Sequence, residues 1–294
     1  SSPFEAPATL MLIAHAERAG VWYVRGGMQR LAETLTRAAR DAGATLRFGA
    51  GVRRLLGGQE GISGVELDDG ETLTADAVLY NGDVAALGAG LLGSAARRAI
   101  PARDDDARSI SAVTWSLTGA ARGFPLAHHT VFFGTDYQDE FDSLFKQGRV
   151  TREPTVYVCA QDRGDGAAPP SDGERLFLLI NAPPRPFGAD ELARCEADTW
   201  DHLARLGLRI EPGDAAAVRH GPDDFAARFP GTGGAIYGWP THGWSGSFRR
   251  PGSRSRLPRL YLAGGTVHPG PGVPMAALSG RIAARALRED LGLR

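Results

Sequence analysis

The chain has 294 residues, enough for one or two domains with a sizeable core. Its 33 basic and 34 acidic residues leave a net charge of −1, which gives no electrostatic case for a nucleic-acid partner. Cys159 and Cys195 are too few for a disulfide framework or a zinc site, no apolar run approaches the ~18 residues of a membrane span, and the first residues lack the basic-then-apolar signal pattern. A reduced cytoplasmic setting is the resulting expectation.

In chain order, Ala14 to Arg18 is compatible with helix and Val21 to Val24 with a short strand. Gly26-Gly27 precede a helix whose Met28, Leu31, Leu35, Ala38 and Ala42 make one apolar face, stopped at Gly43. Strands are predicted at Thr45–Phe48 and Val52–Leu56. A turn at Gly57-Gly58 leads to Gly64–Leu67, and Asp68-Asp69-Gly70 signals a hairpin into Glu71–Leu73. Ala77–Tyr80 reads as a buried strand ending at Asn81-Gly82-Asp83. A helix, a small loop and an acidic linker at Asp104-Asp105-Asp106 follow.

Strands are then expected at Ala112–Thr118, His128–Phe133, Pro154–Ala160 and Arg175–Asn181, with a short helix over Tyr137–Phe145 and a loop over Asp162–Gly173. Ala189–Leu206 is a long helix with Leu192, Cys195, Thr199, Leu203 and Leu206 on one side. Together, 111–222 reads as a mostly antiparallel sheet with helices on one face. Asp223–Phe229 is a short helix. Gly231–Gly246 then combines glycine with Tyr237, Trp239 and Trp244, which suits either a packed loop or one wall of an apolar cleft.

The chemistry concentrates near the end. Tyr261-Leu262-Ala263 is an apolar run that suits a strand, and Gly264-Gly265 end it. Pro269, Gly270, Pro271 and Gly272 shape a loop with few side chains, and Pro274 falls where the first turn of a helix tolerates proline. Met275, Leu278, Ile282 and Leu287 continue at helical spacing, while Ala276, Ala277, Ser279 and Gly280 keep one side thin. Such a glycine-fronted helix N-terminus favours a negatively charged or electron-rich ligand, although an ordinary glycine-rich turn fits the residues as well.

The run Tyr-Leu-Ala-Gly-Gly-Thr-x-His-Pro-Gly-x-Gly-Val-Pro, from Tyr261 to Pro274, resembles the C-terminal flavin-binding signature of bacterial carotenoid desaturases, within the amine-oxidase-like flavoproteins. The order Gly26-Gly27, helix, Val52, hairpin and Ala75-Asp76-x-Val78-x-x-Asn81-x-Asp83 is similar to the same superfamily. His128-His129-x-x-Phe132-Phe133 resembles a desaturase segment, and Pro154–Arg163 resembles the hydroxyneurosporene and methoxyneurosporene branch. Where much of the superfamily has an acidic residue after Ala-Gly, this chain has Gly265, a departure that carotenoid desaturases share.

The resemblance implies a two-domain, mixed α/β FAD-dependent oxidoreductase with a mostly antiparallel substrate-domain sheet and a partial Rossmann-like FAD domain. It implies segments 1–25 (substrate or linker), 26–110 (partial FAD-binding domain), 111–222 (substrate-binding domain) and 223–294 (FAD-contacting). It further implies FAD contacts at Val52, through its backbone, and at Gly264, Gly265, Gly272, Val273, Pro274 and Met275. The implied reaction is dehydrogenation of a hydroxy- or methoxy-carotenoid such as 1-hydroxyneurosporene at C3–C4, by hydride transfer to flavin. A lipophilic carotenoid substrate also implies peripheral contact with a membrane.

His268, beside the glycine loop, is the candidate acid/base or orienting residue. A Gly-x-Gly-x-x-Gly after an early strand, needed to hold a dinucleotide pyrophosphate, is missing, so the expected partner is an N-terminal part of the same protein, without which this fragment is expected to be inactive. No histidine has metal-ligand spacing, so no metal is expected, and no Gly-x-Ser-x-Gly elbow or Walker motif is present. Two other readings stay open: a non-catalytic module that binds an apolar ligand or partner, and a flavin amine oxidase.

Overall fold

The computed structural model describes residues 2–7, 11, 15, 18, 20–58, 60–101, 108–164, 170, 173–213, 215, 217–242 and 246–293. The expectations at Ala14–Arg18, Asp104–Asp106, Trp244 and much of the Asp162–Gly173 loop therefore lie wholly or partly outside the described residues.

The largest sheet is built from β5 (Ser111–Arg122), β6 (His129–Phe132), β7 (Val156–Ala160), β8 (Glu174–Ala182), β9 (Arg209–Pro212) and β10 (Val218–His220). Its order is β10-β5-β8-β7-β6, with β9 also on β5, and every pairing is antiparallel. Strict alternation along β7 and β8 puts Val156, Val158, Leu176, Leu178 and Ile180 on one buried face. Helix α4 (Ala189–Arg205) closes that face with Cys195 and Leu203, and Trp115 and Leu208 complete the core. Each such aliphatic side chain contributes about 1.5–3 kcal/mol on burial, so this face fixes the register of the sheet. Thr199 lies on the buried side of α4 as expected, whereas Leu206 falls just past the helix and is exposed. The short strands β9 and β10 were not anticipated, because neither carries an alternating apolar pattern.

A second core joins the two ends of the chain. A three-stranded antiparallel sheet runs β1 (Val52–Gly58), β2 (Gly61–Leu67), β3 (Thr72–Thr74). Beside it, β4 (Val78–Tyr80) pairs in parallel with β11 (Leu260–Leu262). Helix α2 (Val84–Ala89) packs against them, so that Ile62, Val84, Leu87, Ile100, Leu260, Leu262 and Val267 share one apolar cluster. Strand β4 is half-buried rather than buried, with Leu79 exposed.

Other expectations change with the surface that each segment finds to cover it. Thr45–Phe48 and Val21–Val24 are not in strands, and Phe48 and Trp22 are 77% and 81% exposed. Helix α1 (Met28–Asp41) forms where its period demands, yet none of its residues is buried and Leu35 is 62% exposed. In α6 (Val273–Asp290) the thin side turns inward: Ser279, Ala283 and Ala286 are buried while Leu278 and Ile282 face out. Further helices among the described residues include α3 (Tyr137–Asp142), continued by a wider turn over Ser143–Gln147, and α5 (Pro222–Arg228).

Candidate flavin-facing site

Parallel β-strands present their carboxyl ends to a crevice where ligands bind. Here β4 and β11 end side by side. Tyr80 leads through Asn81-Gly82-Asp83 into α2, and Leu262 leads through Ala263-Gly264-Gly265 towards α6. The two exits are stitched together: Ala263 N–H donates to Tyr80 O at 3.0 Å, and Val84 N–H donates to Thr266 Oγ1 at 3.3 Å. Gly264 has φ +116°, and a Cβ there would stand 2.9 Å from Asn81 Oδ1, so both conformation and space require glycine. Its N–H donates to the buried Ser279 hydroxyl at 3.2 Å, which holds the loop to the inner side of α6.

Asp83 caps α2 by accepting from Ala85 N–H at 2.8 Å. Burial raises its carboxyl above the usual aspartate range, against the lowering effects of that N–H, Arg250 and Arg108. The Tyr80 phenol donates to Asp83 O at 2.9 Å, and burial, with Asp83 nearby, pushes it up to about 12.

The loop between β11 and α6 ends at Gly272, the N-cap of α6, with φ +107° and ψ 144°. A Cβ at Gly272 would meet nothing within 4 Å, so the glycine is required by backbone conformation alone. No side chain caps this helix start, and its first turn, with Pro274, holds no acidic residue. The positive end of an 18-residue helix dipole therefore stands uncompensated beside a chain that carries almost no side chains.

The structure brings Gly264, Gly265, Gly272, Val273, Pro274 and Met275 together on this one loop and helix start. Gly264, Gly265 and Met275 are half-buried, and Gly272, Val273 and Pro274 are exposed. Val52 stands apart on β1, opposite Leu67 in another sheet and 41% exposed, although its neighbour Leu55 packs on the same apolar cluster as the loop. His268 sits in the loop with its N–H donating to Pro251 O at 2.8 Å, and the His268–Pro269 peptide is cis. Its imidazole is exposed and has no hydrogen-bonding partner to orient it among the described residues. Sequence reasoning did not assign a role to Arg250, whose buried guanidinium donates to Gly265 O at 3.3 Å, Tyr237 O at 3.2 Å and Trp239 O at 3.4 Å. An arginine directly before a proline-glycine turn was its one visible signal.

The profile of the flavin containing amine oxidoreductases matches residues 8–288. The chain belongs to that family. It is 48% identical over 295 residues to a hydroxyneurosporene desaturase of Rubrivivax gelatinosus, covering 99% of this chain and 56% of the relative. To the hydroxyneurosporene desaturase of Cereibacter sphaeroides it is 46% identical, covering 100% of this chain and 59% of the relative. To a zeta-carotene-forming phytoene desaturase of Myxococcus xanthus the identity is 31%, covering 97% of this chain and 56% of the relative. The chain thus spans slightly more than half the length of the curated relatives it matches.

Within a flavin-containing family the uncompensated helix start acquires a chemical meaning. The residues present fit an electron-rich group laid against backbone N–H donors, with no side chain at Gly264, Gly265 or Gly272 to block its approach.

Proposed function

We propose that this chain is part of an FAD-dependent carotenoid desaturase acting on a 1-hydroxy- or 1-methoxy-carotenoid, such as 1-hydroxyneurosporene, at C3–C4. The observation that carries the reading is the α6 start, which has neither a capping side chain nor an acid in its first turn and is reached through Gly264-Gly265 and Gly272. Identity of 46–48% to hydroxyneurosporene desaturases, against 31% to a phytoene desaturase, supports the sub-branch.

Gly264, Gly265, Gly272, Val273, Pro274 and Met275 would hold the flavin side of FAD, and the backbone of Val52 a more distant part of the dinucleotide. When bound, the flavin supplies the two-electron acceptor for the dehydrogenation. The protein residues supply the rest. The helix dipole and free N–H groups favour negative charge at the loop. Arg250 ties the loop carbonyl of Gly265 to the backbone of Tyr237 and Trp239, whose side chains would wall the site with apolar area. Excluding water from a polyene demands such a wall more than it demands a strong base, which agrees with the unoriented His268 ring.

Peripheral membrane contact belongs to the same reading. Among the described residues no helix is long and apolar enough to cross a membrane. Exposed Trp22, Phe4 and Phe133 supply an apolar surface, and Phe4 and Phe133 both pack edge-on against Tyr137.

The test uses the whole protein supplied with FAD and 1-hydroxyneurosporene in detergent micelles. One added conjugated double bond shifts the carotenoid absorption to longer wavelength, with a product two hydrogens lighter. FAD retention combined with turnover of amines and not of the carotenoid would overturn the proposal.

A further inference from the structure

The antiparallel pairing of β6 with β7 assembles a group of side chains that their sequence positions do not announce. His129 stands directly opposite Cys159 in the register. His128, the residue before β6, is held by its carbonyl, which accepts from Ala160 N–H at 3.0 Å. His128 Nε2 lies 3.8 Å from Cys159 Sγ. One ligand atom from each of His128, His129 and Cys159 falls within 4.8 Å of the others.

We propose that His128, His129 and Cys159 bind a single zinc(II) ion at the edge of the large sheet, with a fourth tetrahedral position left to water. Zinc–sulfur and zinc–nitrogen bonds of about 2.3 and 2.0–2.1 Å at a tetrahedral angle separate the two ligand atoms by about 3.6 Å, close to the Sγ–Nε2 distance observed. Thiolate and imidazole are the ligand types that zinc prefers over the oxygen sets of magnesium or calcium.

The surroundings are those of an oriented site. The Tyr157 hydroxyl hydrogen-bonds His129 Nδ1 at 2.7 Å, the kind of outer contact that fixes a ligating ring. Tyr23 stacks on the His128 ring at 5.4 Å, and Tyr157 stacks on His129 at 5.9 Å. His128 is held by this stacking and by its backbone, since its Nδ1 is buried without a hydrogen-bond partner among the described residues and its Nε2 is the nitrogen that faces Cys159. The site lies in the large sheet, whereas the glycine loop extends from β11, so the proposal stands independently of the flavin reading. An ion here would clip the edge strand β6 to β7 across their backbone ladder. Binding converts the Cys159 thiol to thiolate with release of its proton, and no electrons change hands.

The experiment takes the whole protein, strips it with chelator, and titrates it with zinc in competition with a chromophoric chelator. One equivalent should bind per chain. Cobalt(II) in its place should show a near-ultraviolet thiolate-to-cobalt band. Cys159→Ser should abolish that band and weaken zinc binding at least about 100-fold, whereas Cys195→Ser should leave both unchanged. Should Cys159→Ser fail to fold, alkylation of the wild-type protein decides: zinc should protect Cys159 from iodoacetamide, read by mass spectrometry. Submicromolar zinc binding that is absent, or unaltered by Cys159→Ser, or equal labelling of Cys159 with and without zinc, would overturn the site.

Discussion

The guanidinium of Arg250 donates to the carbonyl of Gly265 at 3.3 Å, so a buried cation grips the glycine loop. The same group reaches Tyr237 O and Trp239 O, tying the aromatic segment to the loop. Arg250→Met should leave these part-buried carbonyls without their donor. Leaving a fully buried acceptor unpaired costs about 1–3 kcal/mol per group and partial access to water recovers some of it, so a net loss of about 2 kcal/mol is expected. Arg250→Lys should recover part of it, because one ammonium cannot reproduce the fork. Chemical denaturation of the three proteins, read beside their FAD content, checks this. A loss of FAD content that exceeds the loss of stability would mark Arg250 as a positioning residue for the loop.

Gly272 separates conformation from space. Its φ of +107° with ψ of 144° is a region that residues with a Cβ avoid, yet a Cβ there would touch nothing. Gly272→Ala should therefore cost about 1–3 kcal/mol through backbone strain alone. Under the flavin reading it should also weaken FAD binding, because the added methyl fills the approach to the helix start. Equal FAD affinity in the wild type and Gly272→Ala, measured by fluorescence titration of the whole protein, would remove Gly272 from the cofactor set.

How much of this was legible in the sequence depended on what each pattern encodes. The alternation in Pro154–Ala160 and Arg175–Asn181 specified strands whose inner face is covered by residues of the same segment, and they appear as β7 and β8. The period of α1 specified a helix but not its cover, and its apolar face is exposed. In α6 the spacing gave a large and a thin side without saying which packs inward, and the buried residues are the small Ser279, Ala283 and Ala286. The glycine loop was legible because φ above zero at Gly264, Gly270 and Gly272, and close approach at Gly264, demand glycine itself. The role of Arg250 was not, since its carbonyl partners Gly265, Tyr237 and Trp239 are brought to it by the fold and not by spacing. Nor was the His128, His129 and Cys159 group, which exists only through the β6–β7 register.

The pair Arg163–Glu174 tests the large sheet in isolation from the glycine loop. Arg163 Nη2 and Nε donate to the two Glu174 carboxylate oxygens at 2.6 and 2.7 Å, and Nη1 donates to Leu126 O at 3.1 Å. Glu174 is 1% exposed. Glu174→Gln leaves a largely buried guanidinium without its counter-charge, so a loss of about 3–5 kcal/mol is expected. The double change Glu174→Gln with Arg163→Met should be less damaging than the single one. Equilibrium unfolding of the four proteins in a cycle measures the coupling, and a coupling near zero would contradict the buried-pair account.

Asp83 gives a pH dependence of unusual sign. Burial is the largest influence on its carboxyl and raises it, outweighing the Ala85 N–H, Arg250 and Arg108. A carboxyl raised on folding binds its proton more tightly in the folded than in the unfolded state. Its contribution to stability is therefore least favourable at neutral pH, where both states are ionised. It improves as pH falls through the raised folded value towards the ordinary aspartate value of 3.8, and is constant below that. Asp83→Asn keeps an oxygen acceptor for Ala85 N–H and removes the titration. The difference in stability between the wild type and Asp83→Asn should shift in favour of the wild type as pH is lowered from 7 to 4. Unfolding free energies of the two proteins across that range test the sign, and a difference that moves the other way would mean that Arg250 and Arg108 outweigh burial at this carboxyl.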